Sequence, residues 1–245
     1  MSAAIEVAGV SKTFRIPHDQ RTFFKEYFVH PFRRVTYERN EALKDVAFSV
    51  EAGEFFGVIG SNGSGKSTLL RVLAGIYVPD SGLVRVNGLL SPFIELGVGF
   101  NFELNARDNI RINATLAGLK KSELDEKFDG ILAFSELERF VDQKLKNYSS
   151  GMLVRLAYSI AIQIPFDVLL LDEVLAVGDE AFQQKCFATF EEFKEKGKTV
   201  VFVSHALDLM EEFCDRVILI DQGVVHTLGP PDEVVDLYRK RSLVG

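Results

Sequence analysis

Tryptophan is absent from this chain, and cysteine occurs only twice in 245 residues. Cys186 and Cys214 lie far apart and form no CxxC pair, so the fold is not organised by a disulfide framework or a thiolate metal site. We interpret both as buried or incidental thiols in a reducing compartment.

The chain also lacks long apolar runs and an excess of positive charge. No stretch approaches the roughly 18 consecutive apolar residues of a membrane-spanning helix, and the N-terminus has no apolar core long enough for a signal peptide. A formal net charge of −7 and a pI near 5.2 argue against a broad contact with phosphate backbones. We therefore expect no nucleic acid among the partners.

The remaining composition is that of a globular protein, with 47% hydrophobic and 26% charged residues. Alternating or fully apolar runs predict strands, and the run between 106 and 164 is mainly helical. Strands are predicted at 4–10, 42–50, 55–60, 83–87, 89–96, 167–171, 199–203 and 216–220. Helices are predicted at 66–76, at 121–134 with Ser122 as N-cap, and at 152–162. The result is an α/β protein whose parallel sheet is interrupted by a helical insertion.

A second insertion, 15–40, lies between the first two strands. Its residues Phe23, Phe24, Tyr27 and Phe28 share one helical face, and basic side chains flank them. Two interpretations remain open: the segment docks on a membrane partner or on anionic headgroups, or its aromatic side chains pack on their own domain.

The most specific motif follows the predicted strand 55–60 and begins the predicted helix. It matches G-x-x-x-x-G-K-[ST], and its residues are Gly60, Ser61, Asn62, Gly63, Ser64, Gly65, Lys66, Ser67 and Thr68. Glycines allow backbone N–H groups to approach phosphates, and the helix N-terminus favours negative charge. Lys66 supplies a positive charge for the β and γ phosphates, and the Ser67 hydroxyl can bind Mg²⁺. The segment predicts a nucleoside triphosphate site.

Two acids complete such a site. Asp172 ends the apolar strand 167–171, and Glu173 follows at once. An aspartate there suits Mg²⁺, and the adjacent glutamate can polarise an attacking water as the catalytic base. Together with the loop, they predict hydrolysis of the bound nucleotide.

Further motifs select among the classes of phosphate-loop enzymes. The segment YSSGMLVR at 148–155 resembles the signature of ABC-type ATPases, LSGGQxxR. His205 resembles the switch histidine of that family, and Asp179 resembles its D-loop aspartate. The resemblance covers essentially the whole chain. It implies a RecA-like phosphate-loop core, 1–95 and 166–245, with an N-terminal antiparallel β segment and an inserted helical subdomain, 96–165, all within one ATPase domain, 1–245.

The resemblance also implies a dimer. In such a homodimer, two copies sandwich two ATP molecules, and Ser149, Ser150, Gly151 and Met152 of one copy contact the ATP of the other. Glu173 and His205 then act with the phosphate loop of their own copy, His205 contacting the γ-phosphate.

The segments YSSGMLVRLAYSIA, DEVLAVGDEAFQQKC and LGVGFNFELNARDNI are similar to the ATPase subunits of polysaccharide exporters. Those exporters move lipid-linked O-antigen, capsule or teichoic acid chains. The resemblance implies a peripheral subunit on the cytoplasmic face of the inner membrane, beneath a separate permease that handles the glycolipid. The alternatives are a soluble mechanical ATPase of the same superfamily and an ABC subunit for another substrate. A single cassette and an acidic balance favour transport.

Some positions depart from the family pattern. Ser150 and Met152 replace a glycine and a glutamine of the signature, and the family's metal-sensing glutamine is absent from 91–105. Glu95 and Glu103 are the polar substitutes, and we favour Glu95. Phe14 occupies the place of the aromatic that stacks on adenine. It competes with a role as a core residue, and Phe32 and Tyr37 are other candidates.

Overall fold

The computed structural model describes residues 3–17, 37–93, 99–172 and 179–242, and these residues form two sheets. The larger sheet has six strands in the order β5-β6-β7-β3-β8-β9. All neighbours in it are parallel except the β8–β9 pair, which is an antiparallel hairpin. The strands are β3 (Phe55–Ile59), β5 (Leu90–Phe93), β6 (Val168–Asp172), β7 (Thr199–Val203), β8 (Arg216–Asp221) and β9 (Val224–Gly229).

The smaller sheet is antiparallel, with the strand order β2-β1-β4. Its strands are β1 (Ala3–Pro17), β2 (Tyr37–Glu51) and β4 (Ser81–Val86). Pairing between β1 and β2 continues to Pro17 and Tyr37. The predicted insertion 15–40 is therefore too wide, because 15–17 and 37–40 are paired strand. The predicted aromatic face and Phe32 lie outside the described residues.

The helical block contains three α-helices and two short 3₁₀ turns. The helices are α2 (Ala106–Leu116), α3 (Lys121–Ser135) and α4 (Ser150–Gln163), and the turns are Glu138–Phe140 and Leu145–Asn147. Ser122 was the wrong N-cap for α3. The cap is Lys120, whose backbone N–H donates to the Glu123 carboxylate at 2.7 Å, so the glutamate three residues on fixes the start of the helix.

Four further helices surround the large sheet. They are α1 (Lys66–Leu73), α5 (Glu180–Glu195), α6 (Leu207–Phe213) and α7 (Pro231–Ser242). The sequence interpretation missed β9 and α7, which follow a tight turn at Gln222 and Gly223. Within the described ranges, no helix is both long and apolar enough to cross a membrane.

The largest side chains of the hydrophobic core are mainly phenylalanines. One face of the large sheet packs on α5, α6 and α7 through a cluster rich in phenylalanine, and Phe190 sits at its centre against Phe55, Phe202 and Phe213. The opposite face packs on α1 and the small sheet, and the helical block has its own apolar cluster. Both cysteines are buried, and burial raises the pKa of the Cys186 thiol to about 12. A thiol with such a pKa is inert at neutral pH.

Candidate functional site

The candidate site begins where three parallel strands of the large sheet end together. Asp172 at the end of β6 pairs in register with Val203 of β7, and Val203 pairs with Val58 of β3. Because parallel strands present their carboxyl ends at one edge, Asp172, His205 and the loop that follows β3 emerge at the same edge. Chain segments far apart in sequence are brought together there.

The loop after β3 leads directly into α1. Its N-cap, Gly65, has a left-handed backbone and makes no side-chain hydrogen bond to the amides of the first turn. The Ser64 hydroxyl oxygen is buried and has no hydrogen-bond partner among the described residues. Unclaimed donors at a helix N-terminus fit a phosphate group. The geometry is therefore compatible with the predicted nucleotide site.

Lys66 is the first residue of α1 and is only 5% exposed. Its ammonium donates to the carbonyl oxygens of Gly60 and Ser61, each at 2.9 Å. The positive charge is thus held inside the curve of the loop. A phosphate placed there would receive a preformed, desolvated donor.

The loop glycines are required mainly by the protein around them. A Cβ on Gly60 would lie 2.2 Å from the Ile220 carbonyl oxygen, and one on Gly65 would lie 2.4 Å from that of Ala42. Gly63 alone among the three faces open space. The sequence interpretation assigned all three to phosphate approach; for Gly60 and Gly65, close packing of backbone on backbone is an additional and sufficient reason.

The turn between β8 and β9 is hydrogen-bonded to the phosphate loop. The Gly223 N–H donates to the Ser64 carbonyl at 2.9 Å, and the Gly223 carbonyl accepts from the Lys44 N–H at 2.8 Å. Gly223 has a φ of +82°, and a Cβ there would lie 2.8 Å from the Ala42 carbonyl oxygen. This turn therefore links the large sheet, the small sheet and the phosphate loop at one point. Sequence reasoning missed it because a glycine in a hairpin turn carries no chemical signature.

The predicted metal ligands are only partly described. Ser67 and Asp172 are half-buried, at the start of α1 and the end of β6. Glu95 and Glu173 lie outside the described residues, so their predicted roles stay predictions. Among the residues that the structure describes, no group of three or more His, Cys, Asp or Glu side chains forms a metal cluster. A hydroxyl and one carboxylate suit Mg²⁺, which keeps several waters and needs few protein ligands.

Glu103, the other polar substitute, lies in the helical block. Its exposed carboxylate pairs with Lys144 at 3.3 Å and with Lys146 at 3.0 Å. Hydrogen bonds from Lys146 and Lys144 hold the pKa of Glu103 below its usual range. These two lysines already engage the carboxylate.

His205 is the second residue after β7 and is exposed. Before it, the buried Ser204 accepts a hydrogen bond through its hydroxyl oxygen from the Ala206 N–H at 3.0 Å. This turn spans His205 and fixes its backbone at the edge of the sheet. Sequence reasoning missed this role of Ser204, although a serine directly after an apolar strand favours a turn.

Phe14 lies in β1, three residues before the strand ends at Pro17, and is half-buried. Its ring meets Tyr77 edge-to-face at 5.3 Å, and the Lys12 ammonium lies 5.6 Å from its centre. The contact with Tyr77 fits a role in packing. The exposed part of the Phe14 ring leaves room for an adenine ring to stack on it. Stacking on adenine stays a prediction, and Tyr37, another candidate, is an exposed residue at the start of β2.

The signature segment forms the N-terminus of α4. Ser149 is the N-cap, and its hydroxyl oxygen accepts from the Met152 N–H at 3.2 Å. Ser149 and Ser150 are exposed, and Gly151 has room for a Cβ. The replacement of two family residues leaves a regular helix start that Ser149 caps. It belongs to the helical block, apart from the strand ends of the large sheet.

Asp179 is the N-cap of α5, through a hydrogen bond from the Phe182 N–H at 3.0 Å. Its second carboxylate oxygen accepts from Arg155 at 2.6 Å. The aspartate resembling the D-loop residue thus joins the large sheet's helix layer to the signature helix.

Comparison with known proteins decides the family. The model of the ABC transporter family matches residues 43–176, which include the phosphate loop, the signature segment and Asp172. This chain belongs to the ABC transporter family. It is an ATP-binding protein of that family and an ATPase, and the α/β fold class predicted from the sequence is confirmed by solved cassettes.

Relatives of this ABC protein match nearly its whole length. The O-antigen export system ATP-binding protein RfbB of Klebsiella pneumoniae is 40% identical over 243 residues, covering 98% of this chain and 99% of the relative. The teichoic acids export ATP-binding protein TagH of Levilactobacillus brevis is 40% identical over 239 residues, covering 98% of this chain and 65% of the relative. A dimeric ATP-binding cassette solved with ADP and Pi aligns with a TM-score of 0.76 at 22% identity, over 93% of this chain and 98% of that one.

Proposed function

We propose that this ABC protein is the ATP-hydrolysing subunit of a polysaccharide exporter, working beneath a separate membrane-embedded permease. The observation that carries the proposal is 40% identity over almost the full chain to relatives named for O-antigen and for teichoic acid export. Both cargoes are lipid-linked polymers. The glycolipid is handled by the permease, so this subunit sits peripherally on the cytoplasmic face of the membrane.

The catalytic unit we propose is a homodimer. The phosphate loop, Asp172 and His205 gather at one edge of the large sheet, whereas Ser149 to Met152 lie on the helical block. A second copy placed head-to-tail brings its signature segment against the phosphates held by the first. ATP then completes an interface that neither copy closes alone, and hydrolysis reopens it.

Each residue has a defined role in this proposal. Lys66 and the loop amides bind the β and γ phosphates. Ser67 and Asp172 would hold Mg²⁺, with Glu95 as a further candidate, and the ion would neutralise charge on the phosphates. Glu173 accepts a proton from the attacking water, and His205 orients that water and the γ-phosphate.

The proposed cargo is tested in the organism from which the gene comes. We expect deletion of the gene to remove the surface polysaccharide and to accumulate lipid-linked glycan inside the cell. A plasmid with the wild-type gene restores export, and a Glu173→Gln plasmid does not. Lys196→Ala is the matched control, because Lys196 forms only an exposed pair with Glu192 on α5. Normal surface polysaccharide in the deletion strain would contradict the proposal.

The proposed base is tested on purified protein. Glu173→Gln should abolish steady-state phosphate release and trap an ATP-bound dimer, measured by size-exclusion chromatography with light scattering. Hydrolysis at the wild-type rate would remove Glu173 from this role.

A further inference from the structure

An ionic cluster joins three helices beside the candidate site. Arg155 of α4 donates from one guanidinium nitrogen to Glu136 at 2.7 Å and from the other to Asp179 at 2.6 Å. Its side chain is only 16% exposed, and the guanidinium lies 4.9 Å from the centre of the Phe182 ring. Two carboxylates and an aromatic face therefore hold one planar cation in a single orientation.

Glu136 fixes the cluster on the side of the helical block. It is the C-cap of α3 and has a left-handed backbone, with a φ of +59°, which is uncommon for a residue with a side chain. Lys185 of α5 pairs with the same carboxylate. Hydrogen bonds from Lys185 and then Arg155 hold the pKa of Glu136 below its usual range. The carboxylate therefore stays charged at neutral pH and holds Arg155 in place.

Asp179 fixes the other side of the cluster. One carboxylate oxygen caps α5, and the other accepts from Arg155. Asp172 ends β6, and the chain runs from there through Glu173 to Asp179. Asp179 and Asp172 are therefore the two described residues that flank Glu173 along the chain. Whatever displaces Asp179 displaces the downstream anchor of the connection that carries the proposed catalytic base.

The signature segment is at the N-terminal end of the same helix as Arg155. Arg155 is the sixth residue after the N-cap Ser149, which is about 9 Å along the helix at a rise of 1.5 Å per residue. An α-helix of this length moves as a rigid element. A shift of the signature segment on the partner copy's nucleotide therefore also shifts the guanidinium that holds Asp179.

We propose that Arg155 is a positioning residue for ATP hydrolysis, coupling the signature end of α4 to the connection that carries Glu173 through its bond to Asp179. The proposal rests on the proposed homodimer. In each copy, the signature segment contacts the partner's nucleotide, and Arg155 links that segment to Asp179. Binding at the partner's nucleotide can thereby affect Glu173, the proposed base of the copy's own site. Arg155 touches neither nucleotide nor water in this role.

The contacts distinguish this bond from an ordinary surface pair. Lys196 and Glu192 of α5 form a pair at 3.0 Å with side chains 62% and 59% exposed, and such pairs contribute little. Arg155 is largely buried, bonds two carboxylates from different elements and stacks on a ring. A lysine could reach one carboxylate but could not span both.

The test is a double-mutant cycle on steady-state hydrolysis. Asp179→Asn keeps an oxygen that can cap α5 but removes the charge that Arg155 meets, and Arg155→Gln removes the cation. We expect each change to lower kcat about tenfold with less than a twofold change in the KM for ATP, and the double variant to be no slower than the slower single variant. Lys196→Gln is the matched surface control and should leave kcat unchanged. To correct each rate for inactive protein, each change is also made together with Glu173→Gln, and the fraction of folded protomers that bind ATP is measured.

The outcomes separate a positioning role from a structural one. The proposal would be overturned if the reduction in kcat of the double variant equalled the product of the two single reductions. It would also be overturned if the corrected kcat of Asp179→Asn stayed at the wild-type value. Arg155→Lys should fall between wild type and Arg155→Gln, and full activity in Arg155→Lys would also overturn it. The wild-type protein must first be shown to hydrolyse ATP and to dimerise when ATP is bound. If the wild type does neither, the proposed function fails, and this failure is distinct from a failure of the role proposed for Arg155.

Discussion

The phosphate loop and the signature segment are both starts of helices, but the protein supports them differently. Around the loop, Gly60 and Gly65 leave no room for a Cβ, and the Gly223 turn donates to the loop from below. Lys66 is buried against two loop carbonyls. At the signature segment, Ser149 caps the helix, Ser150 is exposed, and Met152 is half-buried against the apolar cluster of the helical block.

This difference shows what each segment needs. The loop is shaped by its own chain before any ligand arrives, and such preorganisation lowers the cost of binding phosphates. At the signature segment, the Ser149 hydroxyl accepts from the Met152 N–H, and the side chains of Ser149 and Ser150 are exposed. Its chemistry is useful only against a second molecule, which is why we place it on the nucleotide of a partner copy.

The largest effect should come from removing the buried charge in the loop. Lys66→Met takes away the cation aimed at the phosphates, and we expect hydrolysis to fall by about 100- to 1,000-fold, as for the loss of one oriented donor in other enzymes. Phosphate release measures the rate, and circular dichroism confirms folding. Lys198→Met is the matched control, because Lys198 also donates to a backbone carbonyl, that of Phe166, outside the site. Equal losses in both variants would show that folding, and not phosphate binding, was damaged.

The second prediction tests whether the signature segment acts across the dimer. Gly151→Asp places a negative charge at the start of α4, which favours the helix but repels a phosphate. We expect this variant and Lys66→Met to be inactive alone. Mixed after unfolding and refolding, they should regain about a quarter of the wild-type rate, because half of the dimers then contain one intact site.

Absence of recovery on mixing would place the signature on the nucleotide of its own chain. As a control, the Gly151→Asp protein should retain the helix content of wild type, since a Cβ at Gly151 meets its nearest atom only at 3.9 Å.

The sequence predicted the segments that carry chemistry better than the contacts that support them. The loop and Asp172 could be picked out because phosphate and metal binding restrict residue type and spacing, and the apolar strands place both at one sheet edge; His205 was picked out by the family resemblance, and the roles of all three stay predictions. Ser204, Gly223 and Arg155 were not predicted as supporting residues. The bond between Ser204 and Ala206 is local, whereas Gly223 and Arg155 meet Ser64 and Glu136 through tertiary packing that the local sequence does not reveal.

A smaller effect should follow from disturbing the turn beneath the loop. In Gly223→Ala, the new methyl group meets the Ala42 carbonyl and the residue keeps an unfavourable positive φ. We expect the KM for ATP to rise about tenfold as the bond to Ser64 weakens, a loss of roughly 1.4 kcal/mol in binding. Gly197→Ala is the matched control, because Gly197 also has a positive φ, of +63°, but faces open space. Both variants should melt at lower temperature, and only Gly223→Ala should bind ATP more weakly; equal KM values would contradict the supporting role.

The smallest effect should come from Glu103 in the helical block. Its carboxylate is 65% exposed between Lys144 and Lys146, and an exposed pair of this kind contributes little. We expect Glu103→Gln to leave both kcat and the Mg²⁺ concentration for half-maximal hydrolysis within about twofold of wild type. Glu95→Gln is the informative partner, since loss of a group that orients the metal's surroundings lowers metal affinity by about tenfold or more. If Glu103→Gln raises the required Mg²⁺ and Glu95→Gln does not, the metal-sensing role belongs to Glu103, and the segment paired with Lys144 and Lys146 must move to the nucleotide during the cycle.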